Sequence, residues 1–182
     1  MERQVENAPA LSFREEAVAE AAPEAAALAR AHWREVEAEL HGGADYVLDA
    51  ERYATLERLG MLALVTARDG EGRLAGYAAF TLAPCAHLAG QVVAALDGLY
   101  LAPRARGGLN ALSLLRSAEA ALAGRGAAVV QYSSPASRPC EALYRRLGAR
   151  KTETIWHKRL VRAGSEIDST GSTEETGGTE WQ

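Results

Sequence analysis

Apolar positions recur in two distinct rhythms along this chain. Between residues 23 and 43 a four-residue spacing links Leu28, His32, Val36 and Leu40, the stripe of an amphipathic helix. Pro23 suits the first turn of that helix, and Gly42 and Gly43 suit its end. A second helix is predicted from Asp49, a good N-cap type, to Gly60, with Tyr53, Leu56 and Leu59 on one face. From Leu62 the rhythm shortens. Residues 62–67 and 74–82 are apolar runs of strand length on either side of the polar turn Arg68-Asp-Gly-Glu-Gly-Arg, a hairpin signature. After a loop containing Pro84 and Gly90, residues 92–101 read as a long central strand. Their near-continuous apolar character predicts burial on both faces. Gly98 within that strand marks a bulge or a close backbone approach.

Helical spacing returns over 110–123, with Leu112, Leu115 and Leu122 facing inward and Gly124 and Gly126 at the end. Residues 127–132 form the next strand. A strand–helix–strand crossover is right-handed, so this strand is expected to lie parallel to the central one. A short helix over 140–147 and a last strand over 154–160 follow, and residues 11–16 are a candidate first strand. The fold class is therefore α/β: a mixed, mostly antiparallel sheet with one parallel pair and helices on both faces. No internal repeat is visible. One domain is expected over 11–162, after a flexible segment over 1–10. Residues 163–182 are rich in Ser, Thr, Gly and Glu, offer little apolar surface to bury, and are expected to be disordered.

Composition narrows the function classes. The 182 residues are 48% apolar and 24% charged, near globular averages. The formal charge is -4, and removing the five acids of the tail leaves about +1. No cluster of Lys and Arg stands out, so nucleic acid is not an expected partner. Cys85 and Cys140 lie far apart without metal-ligand spacing, and no metal is expected. No apolar run reaches the ~20 residues of a membrane span, and the first residues lack the apolar core of a secretory signal. The expectation is a cytoplasmic protein with no membrane partner. Nothing in the sequence sets the oligomeric state, and a homodimer stays open.

The chemistry concentrates after the central strand, in Leu99-Tyr-Leu-Ala-Pro-Arg-Ala-Arg-Gly-Gly-Leu-Asn-Ala-Leu-Ser-Leu-Leu. A strand ends at Pro103, and a basic, glycine-bearing turn opens directly into a helix. Helix starts carry unpaired N–H groups and a positive dipole end, which favour an anion. Gly107 and Gly108 let a phosphate approach the backbone, and Arg104 and Arg106 add charge at the rim. A P-loop is excluded, since no Gly-Lys pair exists, and a dinucleotide fingerprint would sit at the first strand. An ordinary strand-to-helix turn with incidental arginines fits the loop equally well on its own.

Arg106-Gly-Gly-Leu-Asn-Ala-Leu-Ser-Leu-Leu resembles the acetyl-CoA loop of the GNAT superfamily of N-acetyltransferases, R-G-x-G-x-G/A-x-x-L-L. The preceding Leu99-Tyr-Leu-Ala-Pro resembles that family's strand ending, and Glu141-Ala-Leu-Tyr-Arg-Arg-Leu-Gly its later A-x-x-L-Y-x-x-L-G-F element. The resemblance spans about residues 11–161 and extends to divergent phage-type GNAT-like proteins. Leu109 stands at the usual middle glycine, Ser137 where an asparagine often contacts the pantetheine arm, and Ala149 at the usual phenylalanine.

The resemblance implies direct acetyl transfer from acetyl-CoA, as co-substrate, to an amine of a small molecule or protein. It implies that Leu99 and Leu101 bind the pantetheine arm and that Arg106, Gly107, Gly108, Leu109, Asn110 and Ala111 bind the phosphates. It also implies that Tyr144 protonates the departing thiolate; a phenol of pKa about 10 keeps its proton at neutral pH. Asp97 is the first candidate for the base that an ammonium acceptor requires. His32 and Glu35 are candidates for the acceptor pocket, although a packed helix-face histidine explains His32 as well. The alternative from another class is a GNAT-fold module that binds CoA without turnover or serves as an interaction protein.

Overall fold

The computed structural model describes residues 10–39 and 41–158. Five strands form one sheet in chain order: β1 Ser12–Glu15, β2 Leu62–Arg68, β3 Leu74–Pro84, β4 Val92–Leu101 and β5 Ala127–Gln131. Strands β1 to β4 pair antiparallel, and β5 runs parallel to β4. The helices are α1 Val18–His32, α2 Ala50–Arg58, α3 Asn110–Gly124 and α4 Glu141–Arg146. A π-helical turn, Trp33–Glu37, continues α1. This is the mixed α/β sheet that the apolar rhythms predict.

Alternation along the strands decides which helix covers which face. Val65 on β2, with Ala78 and Phe80 on β3, joins Leu114, Leu115 and Leu122 of α3 and Tyr144 of α4 in one buried cluster. Burying each of the larger side chains contributes on the order of 1.5–3 kcal/mol. Their neighbours point the other way. Thr66 Oγ1 donates to Glu16 Oε1 at 2.7 Å, and Tyr77 Oη lies 2.9 Å from His32 Nδ1. Helix α1 therefore covers the face opposite α3.

Several details depart from expectation. Pro23 lies inside α1 rather than in its first turn, because the helix begins at Val18. The Val18 N–H donates to Glu57 Oε1 at 2.8 Å, so a carboxylate from α2 caps the start that the alanine-rich run extends upstream. Asp49 does cap α2, accepting from the Arg52 N–H at 2.9 Å, but Leu59 is exposed rather than packed. The middle of β4 is only partly covered, for a reason that belongs to the site.

The chain divides after residue 150. In the second unit the expected strand does not form over its described part, residues 154–158. The rest of that expected strand, Leu40, residues 1–9 of the expected N-terminal segment 1–10, and the expected tail 163–182 lie outside the described residues. Among the described residues no helix is long and apolar enough to cross a membrane.

Candidate active site

Strand β4 changes its pairing in the middle. Gly98 opposes Ala79 and Leu96 opposes Phe80, so Asp97 is an extra residue on β4. Two residues facing one is a β-bulge, at the place where Gly98 marks it in the sequence. On its other edge β4 pairs with β5 only through residues 92–95. Beyond Ala95 the strands part, and the chain leaves β5 through Ser133 towards α4. The gap opens a cavity of about 240 Å³.

Of the residues that the sequence singles out, Asp97, Leu99, Leu101, Arg106, Ala111 and Tyr144 line this one cavity. His32 and Glu35 line it from the end of α1. Gly107, Gly108, Leu109 and Asn110 do not; the first three form the turn between a short 3-10 segment, Pro103–Ala105, and α3, which Asn110 opens. Gly107 and Gly108 take φ of 131° and 52°, conformations that favour glycine. Leu109 takes φ -108° and ψ 10°, unstrained for a side chain, and stays 60% exposed. The middle glycine of the resembled loop is thus not needed for this turn. Asn110 Nδ2 donates to the Ala105 carbonyl at 3.1 Å and ties the turn to a buried anchor.

The two rim arginines are engaged elsewhere. Arg106 Nη2 pairs with Glu35 Oε2 at 2.7 Å, its Nε donates to the Leu101 carbonyl at 2.8 Å, and its guanidinium lies 5.1 Å from the centre of the Tyr100 ring. Arg104 turns to the hairpin, 3.9 Å from Asp69 Oδ2. Glu35 is the hub of the cleft mouth, accepting also from Tyr100 Oη at 2.6 Å and Arg138 Nη1 at 3.1 Å. The Tyr100 hydroxyl, then Arg106, hold the Glu35 carboxyl below its usual range despite some burial.

Tyr144 stands on the far wall. Its ring stacks on Tyr132, centroids 4.8 Å apart, and its hydroxyl donates to the Ser133 carbonyl at 2.7 Å. Burial pushes its pKa up, so the phenol is protonated at neutral pH. Asp97 accepts from Tyr53 Oη at 2.6 Å.

No protein-family model matches the sequence, and no curated protein matches it significantly. Solved structures do match the fold. A ribosomal-protein-alanine N-acetyltransferase from Brucella melitensis biovar Abortus 2308 superimposes with a TM-score of 0.64 at 18% identity, over 83% of this chain and 99% of that one. An aminoglycoside acetyltransferase from an uncultured soil metagenomic sample gives 0.65 at 18% identity, over 84% and 99%. A protein from Bacillus halodurans C-125 described as a transcriptional regulator gives 0.64 at 19% identity, over 83% and 100%. The fold is the GNAT fold. One of these neighbours is named for a protein substrate, one for a small molecule and one for transcriptional regulation, so the shared fold assigns no activity or substrate.

Within this GNAT fold, several cleft residues escape sequence reasoning. Tyr77 and Tyr100 oppose each other directly across β3 and β4; polar-tipped aromatics in two largely apolar strands were a usable signal. Glu37 had none. It lines the cleft because the π-helical turn, closed by the Ala38 N–H on the Trp33 carbonyl at 2.8 Å, brings residues five apart onto one line. Arg138 and Ser133 come from a loop whose sequence has no periodicity to read.

Proposed function

We propose that this chain transfers an acetyl group from acetyl-CoA to an amine by direct attack within a ternary complex. The observation that carries this is the parting of β4 and β5 beside the Asp97 bulge, with Tyr144 on the opposite wall. The backbone freed beyond Ala95 has lost its β5 partner. A pantetheine arm has amides able to add to such an edge in the manner of a strand. An N–H near the bulge would polarise the thioester carbonyl, where negative charge develops during attack. The Gly107–Gly108 turn and the first-turn amides of α3 suit the pyrophosphate.

The Tyr144 proton rests on a neutral carbonyl. A thiolate leaving group is a stronger acceptor, because a hydrogen bond to an ion is roughly twice as strong as a neutral one. The hydroxyl would therefore transfer its hydrogen bond from Ser133 to the sulfur as the C–S bond breaks. Asp97 adds a carboxylate at the bulge that would draw an ammonium acceptor towards the thioester.

Two measurements test this. Acetyl-CoA at millimolar concentration should raise the melting temperature, since it binds the native state alone. A thiol-release screen against an amine panel should find turnover, and Tyr144→Phe should lower kcat by about 100-fold or more with acetyl-CoA affinity unchanged. Unchanged kcat removes Tyr144 from the chemistry. One observation favours a second reading: Glu35 already occupies Arg106. If acetyl-CoA produces no thermal shift, the chain is instead a GNAT-fold interaction module.

A further inference from the structure

The acceptor end of the cleft holds a histidine built into the wall. His32 is the last residue of α1 and is 7% exposed. Its ring stacks on Tyr100 with centroids 5.3 Å apart, at an interplanar angle of 29°. It packs over the bulge, where a Cβ built on Gly98 would stand 3.5 Å from His32 Cε1, an ordinary contact distance. Nδ1 meets Tyr77 Oη at 2.9 Å. Nε2 faces Glu37 Oε1 across 3.8 Å, too far for a hydrogen bond. An amine nitrogen seated beside that gap can reach both atoms. The π-helical turn creates this opposition, since an α-helical turn would carry a residue at i+5 away from His32.

We propose that His32 takes the proton from the acceptor ammonium at Nε2, with Tyr77 fixing the ring and Glu37 holding the resulting imidazolium. This rests on the transfer reading above. In the required tautomer Nδ1–H donates to Tyr77 Oη, and Nε2 offers its lone pair to the cleft. The ammonium gives one proton to Nε2, and the freed nitrogen pair forms the C–N bond. The C–S bond then breaks with its electrons on sulfur. The attacking nitrogen then loses its second proton to the sulfur, with the Tyr144 hydroxyl as relay and so restored, while the first proton leaves His32 to water.

The groups facing the ring are Glu35 and Glu37 from its own turn, Tyr77 from β3, and Asp97 and Tyr100 from β4. Glu35 is already paired with Arg106 and Arg138. Burial lowers the pKa of His32, against the upward pull of Glu37, Glu35 and Asp97. The imidazole is therefore neutral at pH 7 and competent as a base. Asp97, engaged by Tyr53, is left the role of attracting the ammonium.

Long-range nitrogen–proton NMR on the full chain, with His32 assigned by the signal lost in His32→Gln, reads the tautomer without any acceptor. The expected result is Nδ1–H at pH 7; an Nε2–H tautomer overturns the proposal. With the fastest amine of the panel, His32→Gln should lose at least 100-fold in kcat at pH 7 while the KM for acetyl-CoA stays within twofold. The rise of kcat with pH that marks the base should vanish with it. Tyr77→Phe should keep the rise and shift its midpoint. Retained turnover with the same pH limb in His32→Gln overturns the assignment alone. No thermal shift with acetyl-CoA overturns the transfer reading, and His32 as its base with it.

Discussion

Replacing Arg68 with methionine should expose how strongly the α1 face depends on one buried carboxylate. Glu16 is almost fully buried and accepts four hydrogen bonds: Arg68 Nε at 2.7 Å and Nη2 at 2.8 Å, Arg14 Nε at 2.6 Å and Thr66 Oγ1 at 2.7 Å. Arg68 Nη1 also reaches Glu24 Oε1 at 2.8 Å and the Gly72 carbonyl at 2.7 Å, so one guanidinium joins β2, α1 and the hairpin turn. Arg68 is the largest cause of the depressed Glu16 pKa, which falls from 4.5 to about 2. At 1.36 kcal/mol per unit this net shift, the pull of the partners less the burial penalty, corresponds to roughly 3 kcal/mol. Breaking a buried ion pair on one side costs about 3–5 kcal/mol, so the two estimates meet near 3. In a chain of this size that lowers Tm by roughly 6–12 °C.

The sign with pH follows from the depressed pKa. The Glu16 contribution is full above about pH 4.5 and lost as pH falls towards about 2. Urea unfolding of Arg68→Met and the parent chain should therefore differ most near pH 7, and the gap should shrink by more than half at pH 3. A gap below 1 kcal/mol at pH 7, or one of equal size at pH 3, refutes the buried-pair account.

Two further outcomes follow from close approaches and from the cleft mouth. A Cβ on Gly76 would sit 2.5 Å from the Tyr100 carbonyl and closer still to Leu101 Cδ2, so Gly76→Ala should cost about 1–3 kcal/mol in urea unfolding, whereas Gly98→Ala, whose Cβ meets Tyr77 at 3.4 Å, should cost clearly less. Glu35→Gln releases the charge of Arg106 and Arg138; acetyl-CoA, followed by thermal shift at 20 and 200 mM salt (Debye lengths of roughly 20 and 7 Å), should bind a few-fold tighter at low salt and with a steeper salt dependence.

How much of this was legible in the sequence depends on range. Elements set by local rhythm were: the hairpin around Asp69, the central strand, α3 with its inward leucines, and the crossover that makes β5 parallel. The bulge was legible too, because a glycine inside an apolar strand has few other uses. Pro23 misled, because the start of α1 is capped from 39 residues away by Glu57. The Asp97–Tyr53, His32–Tyr77 and Glu35–Arg106 contacts join residues 44 to 71 apart. No periodicity encodes such pairings, so motif residues could be singled out while their partners could not. Arg106 illustrates the gap: its position in the loop suggests phosphate, and only the fold reveals that Glu35 holds it.

Leu109 tests what the departure from the resembled loop means. If a glycine were needed at the third position of the turn, the leucine would be strained or would crowd the first turn of α3. It does neither: φ is -108°, and the side chain is largely in solvent. The burden of unusual backbone falls on Gly107 and Gly108 instead. Leu109→Gly should therefore leave acetyl-CoA affinity within twofold and lower stability by about 0.5–1 kcal/mol, mainly by loosening the unfolded chain. Gly108→Ala meets no atom within 4 Å, so its cost is conformational, about 1–2 kcal/mol, and its distortion of the turn should weaken acetyl-CoA more than Leu109→Gly does. Titration of both variants by thermal shift separates the two positions. Tenfold tighter binding by Leu109→Gly would show that the exposed leucine obstructs the ligand, and that the turn, unstrained as it is, is not the geometry the phosphates require.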